Sequence, residues 1–160
     1  MNFYQQLGFL VFGSRLKRLG ETLIGDINKI YQSHRIAFDA SWFPVFYILS
    51  QKQQVSIKEI ADELNVSHSA VSQLISSLQQ KGFIASVVSK EDARHRAITF
   101  TAEGEKLLAK IQPVWQALEK AMQNLAQESP ESVQLLGALT ALENNLQQEA
   151  LFDRIEKNLN

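Results

Sequence analysis

Between Ser67 and Arg96 the chain concentrates side chains that hydrogen-bond and lacks an arrangement suited to covalent or proton-transfer chemistry. Ser67, His68, Ser69, Ser72, Gln73, Ser76 and Ser77 follow one another closely, and none is acidic. Serine and glutamine can hydrogen-bond base edges or phosphate oxygens. Further on, Lys90, Arg94 and Arg96 stand in the polar run SKEDARHR. Cations at a loop tip suit the narrow minor groove, where arginine is electrostatically favoured. Asp92, two residues before Arg94, reads as a carboxylate that orients the arginine and satisfies loop amides. The chemistry implied is recognition of a polyanion.

Catalytic readings find little support. His34, His68 and His95 are scattered and lack the HExxH spacing of a zinc enzyme, so no metal site is expected. Neither GxxxxGK[ST] nor GxGxxG occurs, and the adjacent carboxylates Asp62/Glu63 and Glu91/Asp92 read as solvated surface. The chain has no cysteine, which excludes disulfides, thiol switches and cysteine-ligated zinc or iron–sulfur clusters. No enzyme activity and no cofactor are expected.

The elements that must position these residues are legible. Ile57, Ile60, Ala61 and Leu64 recur at helical spacing, with Ser56 as N-cap and Glu59 completing a capping box. Asn65 suits a turn of positive φ, and Val66 is expected to plug the space between two helices. Ser67 caps the second helix, whose apolar side is Ala70, Val71, Leu74, Ile75 and Leu78. Lys81 and Gly82 end it with a cation and a glycine able to turn left-handed. Phe83–Val88 and Ala97–Phe100 then read as strands around the basic loop. Helix, turn, helix and basic hairpin make a winged helix-turn-helix.

These residues carry a family resemblance. The D-x-R of the loop (Asp92, Arg94), the F-T-x-x-G after it (Phe100, Thr101, Gly104) and the G-F-I after the second helix (Gly82, Phe83, Ile84) resemble those of MarR-type winged-helix regulators. The runs GSRLKRL, WFPVFYILS and PVWQALE most resemble the regulatory half of relatives fused to an acetyltransferase domain, which is absent here. The resemblance implies a mainly α fold with a small β-hairpin wing. It implies an N-terminal dimerisation helix (1–36), a DNA-binding domain (37–104) and C-terminal dimerisation helices (105–160). It also implies a homodimer on a pseudo-palindromic operator, with Arg94 in the minor groove and Asp92 holding it. Ser67, His68, Ser69, Ser72 and Gln73 would face the major groove, with Ser76 on the same outward side. Many relatives carry arginine where this chain has Gln73 and Ser86, which leaves the operator open.

Charge is segregated although the 160-residue chain totals −1. Residues 1–36 hold five basic and two acidic side chains, residues 67–100 four and two, and residues 101–160 five and nine. A dimer would double the basic face. No apolar run approaches the roughly 18 residues of a membrane span and no signal-peptide pattern is visible, so a cytoplasmic protein is expected.

The rest reads as scaffold. One helix is expected from Phe3 to about Ser33 with a stripe including Leu7, Leu16, Leu23 and Ile30. A second covers Ser41–Ser50 with Pro44 in its first turn, and a third runs from its cap Thr101 to about Gln127, bent by Pro113. A last one opens at Ser129-Pro130 and continues to about Lys157, with Val133, Leu136, Leu142, Leu146, Leu151 and Ile155 on a buried side. Such stripes without a core of their own imply a dimer. Phe12, Arg15, Phe38, Trp42, Phe43 and Phe46 serve equally as core or as walls for a small aromatic or anionic effector. Two functions remain: a homodimeric DNA-binding transcription regulator of repressor type, or a winged-helix protein-interaction module without specific DNA binding.

Overall fold

The computed structural model describes residues 2–88 and 96–159. They divide into two compact units, residues 1–115 and 116–160. In the first unit, α1 (Phe3–Gln6) is followed by a 3-10 turn (Gly8–Val11) and α2 (Phe12–Ser33). The single helix expected from Phe3 is therefore broken. Gly8 sits at φ +54°, a conformation that ends helical hydrogen bonding and that glycine adopts without Cβ strain.

A 3-10 turn (Ala40–Trp42) leads into α3 (Phe43–Lys52), with Pro44 in the first turn where its missing N–H costs little. Then come α4 (Ile57–Leu64), α5 (His68–Gln80), β1 (Ile84–Val88), β2 (Arg96–Phe100) and α6 (Ala102–Gln127). The strands pair antiparallel in the register Ile84↔Phe100 to Val88↔Arg96, and Val55 adds a bridge to Ile98. Thr101 caps α6 by accepting from the Gly104 amide at 3.1 Å.

The core of the first unit is apolar throughout. Ile60, Ala61, Val71, Ile75 and Leu78 from α4 and α5 meet Val45, Phe46 and Leu49 of α3, Ile84 and Ile98 of the hairpin, and Leu107 and Ile111 of α6. Phe38 lies edge-on to Tyr31, Trp42 and Phe46 with centroids 4.9, 5.5 and 5.0 Å away. Such contacts favour fixed ring geometry beyond simple burial. Each fully buried large aliphatic contributes about 1.5–3 kcal/mol. This core rigidly seats α5 through its inner side while leaving the other side uncovered.

The second unit holds the end of α6, then α7 (Pro130–Val133), α8 (Leu135–Gln148) and α9 (Leu151–Leu159). Ser129 caps α7 as expected, accepting from the Ser132 amide at 3.3 Å. The continuous last helix is replaced by three, because Gln134 and the extended Glu149 interrupt it. Its leucine stripe is exposed in the single chain: Val133, Leu136, Leu151 and Ile155 are all open to solvent, and none of α7, α8 or α9 has a buried residue.

Candidate nucleic-acid interface

Local chemistry builds the helix-turn-helix. Ser56 accepts from the Glu59 amide at 3.1 Å, and Glu59 accepts from the Ser56 amide at 2.7 Å, so the capping box closes both ways. Those hydrogen bonds hold the Glu59 carboxyl below its ordinary range. Asn65 takes the left-handed conformation (φ 51°, ψ 45°), and the Val66 amide reaches back to the Ala61 carbonyl at 3.1 Å. This is a Schellman-type closure that satisfies helix-end carbonyls. Ser67 then starts α5, its Oγ accepting from the Ala70 amide at 3.2 Å. The hydroxyl of Ser67 thus has a capping duty before any intermolecular one.

One side of α5 carries its buried residues Val71, Ile75 and Leu78 inward, and the opposite arc is uncovered. Ser69, Ser72, Gln73, Ser76, Ser77 and Gln80 line a shallow concavity of about 360 Å³ along the outward side. His68 is exposed, with Nδ1 3.3 Å from Ser72 Oγ one turn on. Gln80 belongs to this surface as well, a residue beyond those expected from the sequence, and its place two turns after Gln73 is the signal that marks it.

Two residues stand elsewhere than expected. Val66 does not plug the space between the helices; the residue is 47% exposed. The left-handed Asn65 turns the chain outward there, and Ile60, Val71 and Ile75 already fill the gap. Ala70 is exposed too. At 100° per residue it falls beyond the edge of the arc set by Val71, Ile75 and Leu78, with half-buried Leu74 at the margin.

The hairpin stands beside α5. Gly82, at φ +78°, turns the chain, and Thr101 Oγ1 donates to the Gly82 carbonyl at 2.6 Å while its amide donates to the Phe83 carbonyl at 3.0 Å. The two ends of the hairpin are thereby fastened together. Arg96 is exposed at the start of β2, opposite exposed Val88. Lys90, Asp92 and Arg94 lie outside the described residues.

From Asn65 to Val88 the sequence contains no Asp or Glu, so α5 itself presents no carboxylate to an anion. Of the carboxylates just before it in sequence, Glu59 is engaged in its capping box and Glu63 pairs with Lys52, while Asp62 lies exposed on α4. Among the described residues no three histidine, aspartate or glutamate side chains are grouped to hold a metal ion. Among them, too, no helix is long and apolar enough to cross a membrane.

Residues 38–95, which span α3, the helix-turn-helix and β1, match the sequence model of the MarR family. Over this segment the chain is similar to the MarR family. Solved MarR-family structures share its fold. A mutant MarR from E. coli complexed with operator DNA superposes with a TM-score of 0.66 at 18% identity, over 88% of this chain and 97% of that one. A MarR/EmrR family transcriptional regulator from Acinetobacter sp. ADP1 gives 0.67 at 23% identity, over 92% and 99%. BpsR from Bordetella bronchiseptica, whose DNA binding is regulated by 6-hydroxynicotinic acid, gives 0.66 at 17% identity, over 89% and 96%. No protein of curated function matches the sequence.

Of the aromatic residues that could have walled an effector site, Phe38 and Phe46 are buried in the core, where Phe38 lies edge-on to Trp42. Phe43 meets Trp115 with centroids 4.9 Å apart. Phe12 instead pairs with Phe9 near the N-terminus, and Arg15 is exposed on α2.

Proposed function

We propose that this chain is a homodimeric, sequence-specific DNA-binding regulator of transcription that represses by occupying a pseudo-palindromic operator. The observation that carries the reading is the outward side of α5: exposed, rich in hydrogen-bonding groups, free of carboxylates, and set beside a hairpin inside a MarR-family segment. Ser67, His68, Ser69, Ser72, Gln73 and Ser76 face the major groove in this reading. Lys90, Arg94 and Arg96 of the wing reach the neighbouring minor groove, with Asp92 orienting Arg94. Such a protein works in the cytoplasm, where the DNA is.

The dimer rests on the exposed apolar residues at both ends. Phe9 and Leu10 are 90% and 84% exposed, and Leu136, Phe152 and Leu159 are similarly bare. Apolar surface of this kind marks an interface. Residues 1–36 and 105–160 are its dimerisation segments, and residues 37–104 the DNA-binding domain. A dimer presents two α5 helices about 34 Å apart, one turn of the duplex. A small aromatic or anionic effector, as 6-hydroxynicotinic acid is for BpsR, relieves binding by favouring a spacing that does not fit the operator.

The test is selection of bound fragments from genomic DNA, followed by titration of the best fragment and a scrambled duplex. The selected fragment binds at least a hundredfold more tightly, loses affinity between about 50 and 200 mM salt, and loses several-fold more on Arg94→Ala. Equal affinity for both duplexes, or a monomer at micromolar concentration, overturns the proposal.

A further inference from the structure

The base preference of α5 follows from the side chains it lacks as well as those it shows. From Asn65 to Gln80 there is no Arg, Lys, Asp or Glu. Guanine is most often read by Arg or Lys on O6 and N7, and cytosine by a carboxylate accepting from N4. This surface has none of these groups. His68 could reach guanine acceptors, but Ser72 ties its ring back along the helix. Lys81, just past the helix end, lies over the Trp42 ring at 5.3 Å.

What the surface does show is specific. Gln73 is exposed among the short side chains Ser69, Ser72 and Ser76, and is the longest of that group. Its amide offers one donor and one acceptor side by side, the complement of the N6 donor and N7 acceptor of adenine. The serines are small, so the helix can lie deep in the groove and bring Gln73 to the base edges. Ala70, three residues before Gln73 and adjacent to it on the helix surface, leaves its methyl uncovered. Val66 stands uncovered at the same N-terminal end, the end that enters the groove in helix-turn-helix proteins. The one apolar group in the major groove is the C5 methyl of thymine.

We propose that α5 reads A·T pairs, Gln73 taking the N6/N7 edge of an adenine while Ala70 and Val66 pack against thymine methyl groups. This rests on the DNA-binding reading above and supplies the sequence that it leaves open. The half-site core contacted by the first two turns of α5 is then A·T, and G·C pairs are confined to flanks.

The experiment uses the full chain and a random duplex library at low salt, then chemically altered copies of the selected duplex. A core of A·T pairs is expected. Replacing a contacted thymine by uracil removes one methyl and weakens binding about fourfold. Replacing the contacted adenine by 7-deazaadenine removes N7 and weakens it about tenfold. Gln73→Ala, exposed and outside the core, keeps its helical circular dichroism and binds the adenine and 7-deazaadenine duplexes equally. A G·C core in a duplex that is still tightly bound, or indifference to both base replacements, overturns this inference and leaves the DNA-binding reading standing. Retention of no duplex overturns both.

Discussion

Gly104 lies directly against Phe83: a Cβ built on Gly104 would come within 1.9 Å of the Phe83 carbonyl oxygen. The first turn of α6 thus touches the backbone that joins α5 to β1. Thr101 completes the fastening, donating through its hydroxyl to Gly82 and through its amide to Phe83. The motifs G-F-I and F-T-x-x-G, eighteen or so residues apart in sequence, are one contact. They hold the hairpin at a fixed attitude to α5.

Gly104→Ala should therefore destabilise the protein by on the order of 3 kcal/mol, because the clash is with backbone that cannot swing aside. Urea unfolding measures the loss. DNA affinity should fall further than the lost folded fraction explains, since the hairpin must shift to admit the methyl. A neutral Gly104→Ala would show that the contact is looser than described.

Tyr31 and Trp115 join α2 to α6, the indole N–H donating to the phenol oxygen at 3.2 Å. Tyr31→Phe should cost about 1 kcal/mol at neutral pH. Burial pushes the Tyr31 phenol above its ordinary 10.0, and the Trp115 hydrogen bond pulls it partly back. A raised phenol keeps its proton longer folded than unfolded, so its stabilisation is intact below pH 10 and shrinks as pH rises through the folded value. The gap between wild type and Tyr31→Phe in urea midpoint should narrow from pH 9 to pH 11.

Ser56→Ala removes the N-cap of α4 and should cost about 1 kcal/mol. Its partner Glu59 is held below the ordinary carboxyl value of 4.5, first by the Ser56 hydroxyl and then by the Ser56 amide. That contribution is present above pH 4.5 and fades as pH falls through the folded value. Thermal melts at pH 7 and pH 3 should show the Ser56→Ala deficit shrinking in acid.

Leu136→Asp and Phe152→Asp place charges on side chains that are 78% and 70% exposed in the single chain. Neither should disturb the subunit, so far-ultraviolet circular dichroism stays unchanged. Light scattering should report twice 18.1 kDa for the wild type and a single subunit for the double variant at micromolar concentration. An unchanged dimer would move the interface elsewhere.

Much of this protein was legible residue by residue. Caps and turns depend on a few neighbours, so Ser56, Glu59, Asn65, Ser67 and Gly82 could be placed from their types and spacing. The inward arc of α5 followed from helical period, since Val71, Ile75 and Leu78 must share a side. Other features escaped that reasoning. Gly8 in left-handed geometry split the first helix, although a run of amphipathic residues reads as continuous across a glycine. Gln53 takes φ 61° at the end of α3, a conformation that its residue type does not announce.

The sequence by itself determined the helix-turn-helix, the strands that follow it and the polar outward side of α5, because local periodicity and capping chemistry act over a few residues. Only the tertiary structure decided that Val66 and Ala70 are uncovered, that Gly104 seats under Phe83, and that Leu136, Phe152 and Leu159 stand exposed in the single chain. Those outcomes depend on which distant surfaces fill a space first. No local pattern carries that information.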